Sequence, residues 1–202
     1  NNACLDKATF AEFMECYGPV ADNNKNFISN VLRFYQQLVP SGPGAMVCPG
    51  GTTGEFASQL INHLVACYGT IINEQTYNDG GACLRNKGVS EASVQQITGS
   101  VGGNWKALQC VGFAKAVEAG TGAGNLGFVT GAYGNAQDYY LPLAGYQQIP
   151  KNYGNVMVGD LAFFSGTIGH VGVVVEVASD MSWFKMAEAV GYRHGVPYGK
   201  VG

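Results

Sequence analysis

Charge is what this chain has least of. Its 202 residues hold 11 lysines and arginines against 14 aspartates and glutamates, so 12% are charged and the net charge is −3. That balance leaves no basic footprint and argues against nucleic acid as a partner. Long apolar runs are missing too. None approaches the roughly 20 residues that a membrane-spanning helix needs, so no membrane span is expected. No C-x-x-C pair occurs, which disfavours a zinc ribbon or a thioredoxin-type site. No Asn-x-Ser/Thr sequon occurs either, which tells slightly against a glycosylated eukaryotic secretory protein. The first residue is Asn1, not methionine, and a leader or upstream region is expected to have been removed.

Apolar bulk and glycine take the place of charge. Hydrophobic residues make up 47% and glycines number 30, which allows a filled core and argues against disorder. The length suits one large domain or two small ones. Low charge with many Asn, Ser, Thr and Tyr residues points to a secreted, extracytoplasmic setting. The six cysteines fit it. With Cys110 set aside as a free thiol, Cys4, Cys16, Cys48, Cys67 and Cys83 form an odd set. Two disulfides and one spare thiol are the simplest oxidised solution, and the spacing leaves the pairing open. Cys16 and Cys67 are one candidate pair, because both lie near the ends of expected helices.

Residues 1–98 read as a helical region, stapled by such disulfides. Asp6 can cap a helix with Phe10, Phe13, Met14 and Tyr17 on one face, closed by Gly18-Pro19. A second stripe uses Phe27, Val31, Leu32, Tyr35 and Leu38. Thr52-Thr-Gly-Glu55 is a capping box for a third helix bearing Phe56, Leu60, Ile61, Leu64 and Tyr68. Ser90 caps a short fourth helix through Val94 and Ile97. From residue 99 to 202 the pattern changes to one helix over 110–119 and then strands. Leu161–Phe164 and Val171–Val177 are strand-like, and Trp183–Val190 follows the turn at 178–182. Helices followed by an antiparallel sheet make an α+β fold.

The chemistry-bearing residues fall at the element starts. Cys110 opens the helix at 110–119, where unpaired N–H groups lower a thiol pKa. His170 heads a strand. Alone, each residue type is more often structural; together they are the parts of a thiolate nucleophile and its base. A third group must orient the imidazole. Glu176 shares the histidine's strand and face, yet six residues at ~3.3 Å each put it about 20 Å away. Folding the next segment back through a turn near residue 180 brings 188–190 opposite 170–172, and Glu188 becomes the nearest carboxylate. Trp105, five residues before the nucleophile, is a candidate cleft wall. His63 reads as a core or surface residue, and His194 could reach a cleft from beyond the last strand.

Gln109-Cys110 opening a helix, Gly159-Asp160 leading a strand, Gly169-His170-Val171 and Glu188 come in the order and at the spacings of the CHAP family, the cysteine, histidine-dependent amidohydrolase/peptidases. The resemblance covers about half the chain, from residue 100 on. It implies a papain-like architecture and hydrolysis of amide bonds in bacterial cell-wall peptidoglycan, with no cofactor. It further implies Cys110 as nucleophile, His170 as base and then acid, and Glu188 as orienter. The Cys110 N–H, with help from Gln109, would hold the oxyanion. Two departures stand out. Val190 replaces an asparagine common two residues after the glutamate, and the loop Gly99-Ser-Val-Gly-Gly-Asn-Trp105 lacks the carboxylates of a calcium-binding variant, so no metal is expected. The helical region would then bind wall or dock a protein partner. Two other readings compete: a non-catalytic structural or adhesive subunit on a CHAP-like scaffold, and an NlpC/P60-type peptidase. The latter commonly carries Asp-Cys and a second histidine where this chain has Gln109-Cys110 and Glu188.

Overall fold

A computed structural model describes residues 30–34, 53–122, 126–131, 134–139, 143, 145–149, 156–193 and 196–202. At 30–34, 147–149, 192–193 and 196–198 it is the backbone that is described. The Asp6 helix, Cys4, Cys16, Cys48, Thr52 and His194 lie outside these residues.

Helix α1 (Thr53–Tyr68) has Glu55 in its first turn, where a carboxylate suits the positive end of the helix. Leu60 and Leu64 are buried in the main core, and Phe56, Ile61 and Tyr68 pack against it, so all five residues of the expected stripe face inward. A disulfide joins Cys67, in the last turn of α1, to Cys83 in the short helix α2 (Ala82–Asn86). This corrects the Cys16–Cys67 pairing. The turns at 69–81 bring the two Cα atoms to 5.8 Å, inside the reach of a disulfide. Helix α3 (Glu91–Gly102) is capped as expected, with the Ser90 hydroxyl accepting the Ser93 N–H at 3.2 Å. It runs beyond Ile97 to Gly102 and buries Val94, Ile97 and Val101.

Helix α4 (Cys110–Gly120) is the central element: every residue from Val111 to Ala119 is buried. The helix is enclosed on all sides, and it carries Lys115 and Glu118 into the interior with its apolar residues. It lies close against α3 because small residues meet there. A methyl group on Gly112 would run into the Ser100 side chain, and one on Gly120 into Phe56 and Ser93. A one-turn helix α5 (Gly127–Thr130) and a 3₁₀ turn at Ala136–Tyr139 follow.

Seven strands complete the described fold: β1 (Asn30–Phe34), β2 (Tyr146–Ile149), β3 (Leu161–Phe164), β4 (His170–Val177), β5 (Phe184–Ala187), β6 (Ala189–Arg193) and β7 (Val196–Val201). Five form an antiparallel sheet in the order β2-β1-β3-β4-β5, and β6 and β7 pair separately. Side chains alternate between the two faces. Leu161, Phe163, Val171 and Val173 join the helices in the main core, whereas Ala162, Phe164, Val174 and Phe184 form a second cluster behind the sheet. The fold is α+β, with helices against an antiparallel sheet. Among the described residues no helix is long and apolar enough to cross a membrane.

Two expected elements differ. The stripe around Val31 and Leu32, expected as helix, contains strand β1, which pairs with β2 on one side and β3 on the other. A short apolar run fits either period. Here the free edges of β2 and β3 supply backbone partners that a helix would not use. The segment Trp183–Val190, expected as one strand, divides into β5 and β6. At Glu188 the chain leaves β4 and turns to Gly202: its N–H donates to the Gly202 carbonyl at 2.9 Å, and its own carbonyl accepts the Gly202 N–H at 3.3 Å.

Candidate active site

Cys110 is the first residue of α4, behind an extended Gln109 at the N-cap. The Phe113 N–H already reaches the Gln109 carbonyl at 2.9 Å, so the amides of the first turn have no helical partner and face the sulfur end. Its thiol is free and half-buried. Two anchors fix this helix start. The buried Ser100 hydroxyl accepts the Gln109 N–H at 2.9 Å, and the Leu108 N–H donates to Ile72 O at 2.9 Å. The Gln109 side chain lies over Gly191, where a Cβ would collide with its amide, and its Nε2 donates to Ala107 O at 3.3 Å.

His170 is the first residue of β4. The β4–β5 register aligns Val173 with Ala187 and Val174 with Met186; continued one step, it sets Glu188 across from Gly172. The turn between the strands closes with the Ala178 N–H on Trp183 O at 2.9 Å. Glu188 Oε2 then lies 2.6 Å from His170 Nε2, with the two side chains 17% and 30% exposed. With Nε2 turned to the carboxylate, Nδ1 is the ring nitrogen left for the Cys110 thiol, which lies near enough to shift the imidazole's pKa. Phe164, the β3 register partner of His170, sets its ring 6.2 Å from the imidazole. Glu176 is elsewhere, paired with Lys185 at 2.6 Å on the exposed surface.

Burial alone would raise the Cys110 pKa. The imidazole of His170, which is charged beside the sulfur and hydrogen-bonded to it, outweighs burial together with the backbone N–H groups of Val171 and Val111, and holds the thiol below its ordinary value. His170 shows the mirror image: burial pulls its pKa down, but Cys110 and then Glu188 push it well above the usual imidazole range. The pair therefore favours thiolate and imidazolium together.

Cys110 opens onto a cleft of about 440 Å³, a volume typical of ligand sites. Gln109 and Trp105 line it, and Trp105 is 47% exposed at its wall. Ile168, Asn135 and Asp138 also line it, tied by the Gln137 N–H donating to Ile168 O at 3.3 Å. Of the five site residues expected from the sequence, Cys110, Gln109 and Trp105 line the cleft, while His170 follows Gly169 of its lining and Glu188 lies behind the imidazole. Ser100, Phe164, Asp138 and Ile168 were not foreseen. Only the burial of Ser100 beside a glycine of the facing helix could have hinted at its role, and that contact is not visible along the chain. Val190, in the position where asparagine is common, aligns with Lys200 of β7.

Residues 98–189 match the family model of the CHAP domain. No curated protein and no solved structure matches the chain.

Proposed function

With residues 98–189 belonging to the CHAP family, we propose that this chain is a secreted peptidoglycan hydrolase that cuts an amide bond of the bacterial wall through an acyl-enzyme. The observation that carries this reading is the order of three groups behind the cleft. A free cysteine opens a helix at the cleft, its thiol pKa is lowered by the neighbouring His170 imidazole, and Glu188 lies 2.6 Å behind that imidazole. The Cys67–Cys83 disulfide supports an oxidising, extracytoplasmic setting.

The thiolate of Cys110 attacks the carbonyl carbon, and the electron pair of the C=O moves to oxygen. We assign that oxyanion to the Cys110 N–H, with help from Gln109 beside it. As the C–N bond breaks, His170 gives its Nδ1 proton to the leaving amine. Water then loses a proton to the same nitrogen and attacks the thioester, releasing the carboxylic acid and the free Cys110 sulfur. Glu188 accepts from Nε2–H throughout, which keeps Nδ1 turned toward sulfur and stabilises the imidazolium.

The test is release of soluble fragments from purified peptidoglycan by the wild type and by Cys110→Ala, with products identified by mass spectrometry. Release that disappears in the variant is expected, and the fragment masses identify the bond. No release from several wall chemistries by folded protein with a reduced Cys110 would overturn the hydrolase in favour of a non-catalytic scaffold.

A further inference from the structure

The cleft walls carry little charge. Apart from Cys110 itself, Asp138 is the ionisable residue among the described residues that line it; the others are glycines, amides, a serine and apolar side chains. The carboxylate of Asp138 is built into the wall. Its Oδ2 accepts the Asn135 N–H at 2.7 Å, and the Asp138 N–H donates back to Asn135 O at 2.9 Å. Gly134 makes room for this fold-back, since a Cβ there would come within 2.8 Å of Asp138 Oδ2. The Asn135 N–H engages Oδ2 and not Oδ1. The chain through 134–138 is held against the loop that leads into His170 by the Gln137–Ile168 hydrogen bond. The segment bearing Asp138 and the loop leading into His170 thus share one side of the cleft.

We propose that Asp138 recognises a free primary ammonium on the substrate, so that the cleft prefers peptides carrying an unacylated amine within a residue or two of the scissile amide. This rests on the hydrolase reading above and specifies its substrate class. An exposed carboxylate on a cleft wall with no lysine or arginine among its described lining favours a cation by a charge-assisted hydrogen bond. Trp105 and Ile168, 47% and 54% exposed, supply apolar surface for the methylene stem of such an amine. The group could be a diamino side chain or a peptide N-terminus.

Binding measured on Cys110→Ala protein separates recognition from turnover. The probes are a soluble lysine-containing wall stem peptide, the same peptide acetylated on its side-chain amine, and the same peptide acetylated on its α-amine. Calorimetric titration is expected to show a loss of about tenfold on acetylating the recognised amine, the size of one charge-assisted hydrogen bond at a partly wet site. The acetylation that weakens binding identifies which amine is read. In Cys110→Ala/Asp138→Asn, which keeps an acceptor for the Asn135 N–H, that discrimination should disappear, and in Cys110→Ala/Asp138→Glu it should persist in part. Equal affinity for the three peptides, binding of none, or discrimination surviving in the asparagine variant would each overturn the assignment. Fragment release by wild type decides the hydrolase separately.

Discussion

At the scale of single residues, the weight falls on Glu188. Its carboxylate is one of the groups that raise the His170 pKa, after Cys110. Glu188→Gln retains a polar partner for Nε2 but removes the charge that stabilises the imidazolium. Turnover of wall fragments by this variant is expected to fall about 100-fold or more, in line with triads whose orienting acid is amidated. The pH profile carries the sharper signature. Activity should rise as pH passes the lowered pKa of Cys110 and fall as it passes the raised pKa of His170. Loss of Glu188 lets the His170 pKa drop, so the alkaline limb moves to lower pH. A profile that keeps its alkaline limb in place would show that Glu188 does not act on the imidazole. These three residues were legible in the sequence because thiol, imidazole and carboxylate are rare chemistry in a chain with so little charge. Strand arithmetic from a turn near residue 180 then sufficed to choose Glu188 over Glu176. Ser100 and Phe164 were not legible, because serine and phenylalanine carry no signal until their neighbours across the fold are known.

At the scale of elements, amphipathic helices with caps were readable, and elements that borrow partners were not. Ser90 and the Phe56–Tyr68 stripe announce their helices through local hydrogen bonds and a 3.6-residue period. Strand β1 has no such signature, since its identity comes from β2 and β3 on either side. The break at Glu188 likewise comes from Gly202, a partner 14 positions on in sequence. The disulfide belongs to the same class, because Cys67 meets Cys83 only after the turns between α1 and α2 form. Closing that loop constrains the unfolded chain by about 3 kcal/mol. The double variant Cys67→Ala/Cys83→Ala should therefore unfold at lower urea, with a stability loss of up to about that size. Neither cysteine lines the cleft, so turnover below the unfolding range should stay close to wild type. A stable variant with lost turnover would instead mean that α1 and α2 position the site.

At the scale of the whole molecule, the described residues before and after residue 98 share one core. Leu60 and Leu64 share one apolar cluster with Val117 and Val173. A run of backbone hydrogen bonds joins the two sides of the cleft: Leu108 N–H to Ile72 O, Ile72 N–H to Gly199 O, and Glu188 N–H to Gly202 O. The loop leading into Cys110 is thus tied to β7 through Ile72, and the backbone of Glu188 is tied to Gly202 just after the same strand. The cost of this construction shows at Glu118 on the far end of α4. Its carboxyl is 1% exposed, with Tyr146 Oη donating to Oε2 at 3.1 Å and no partner for Oε1 among the described residues. Burial, with a smaller push from Asp160 and against the Tyr146 hydrogen bond, raises its pKa to about 7. An acid whose pKa is raised on folding binds more protons folded than unfolded between the two values, so stability falls as pH rises through that window. From near the ordinary glutamate value up to about 7, the loss is about 3 kcal/mol. Lys115, lowered by burial to about 8, has the opposite sign and acts only above that pH, where stability should recover. Urea unfolding at pH 5 and pH 7 should therefore show a lower midpoint at pH 7 for wild type. Glu118→Gln keeps a side chain that can accept from Tyr146 but has no proton to lose, and its midpoints should differ much less. Equal pH dependence in the two proteins would mean that Glu118 meets enough water or polar partners to ionise freely inside the fold.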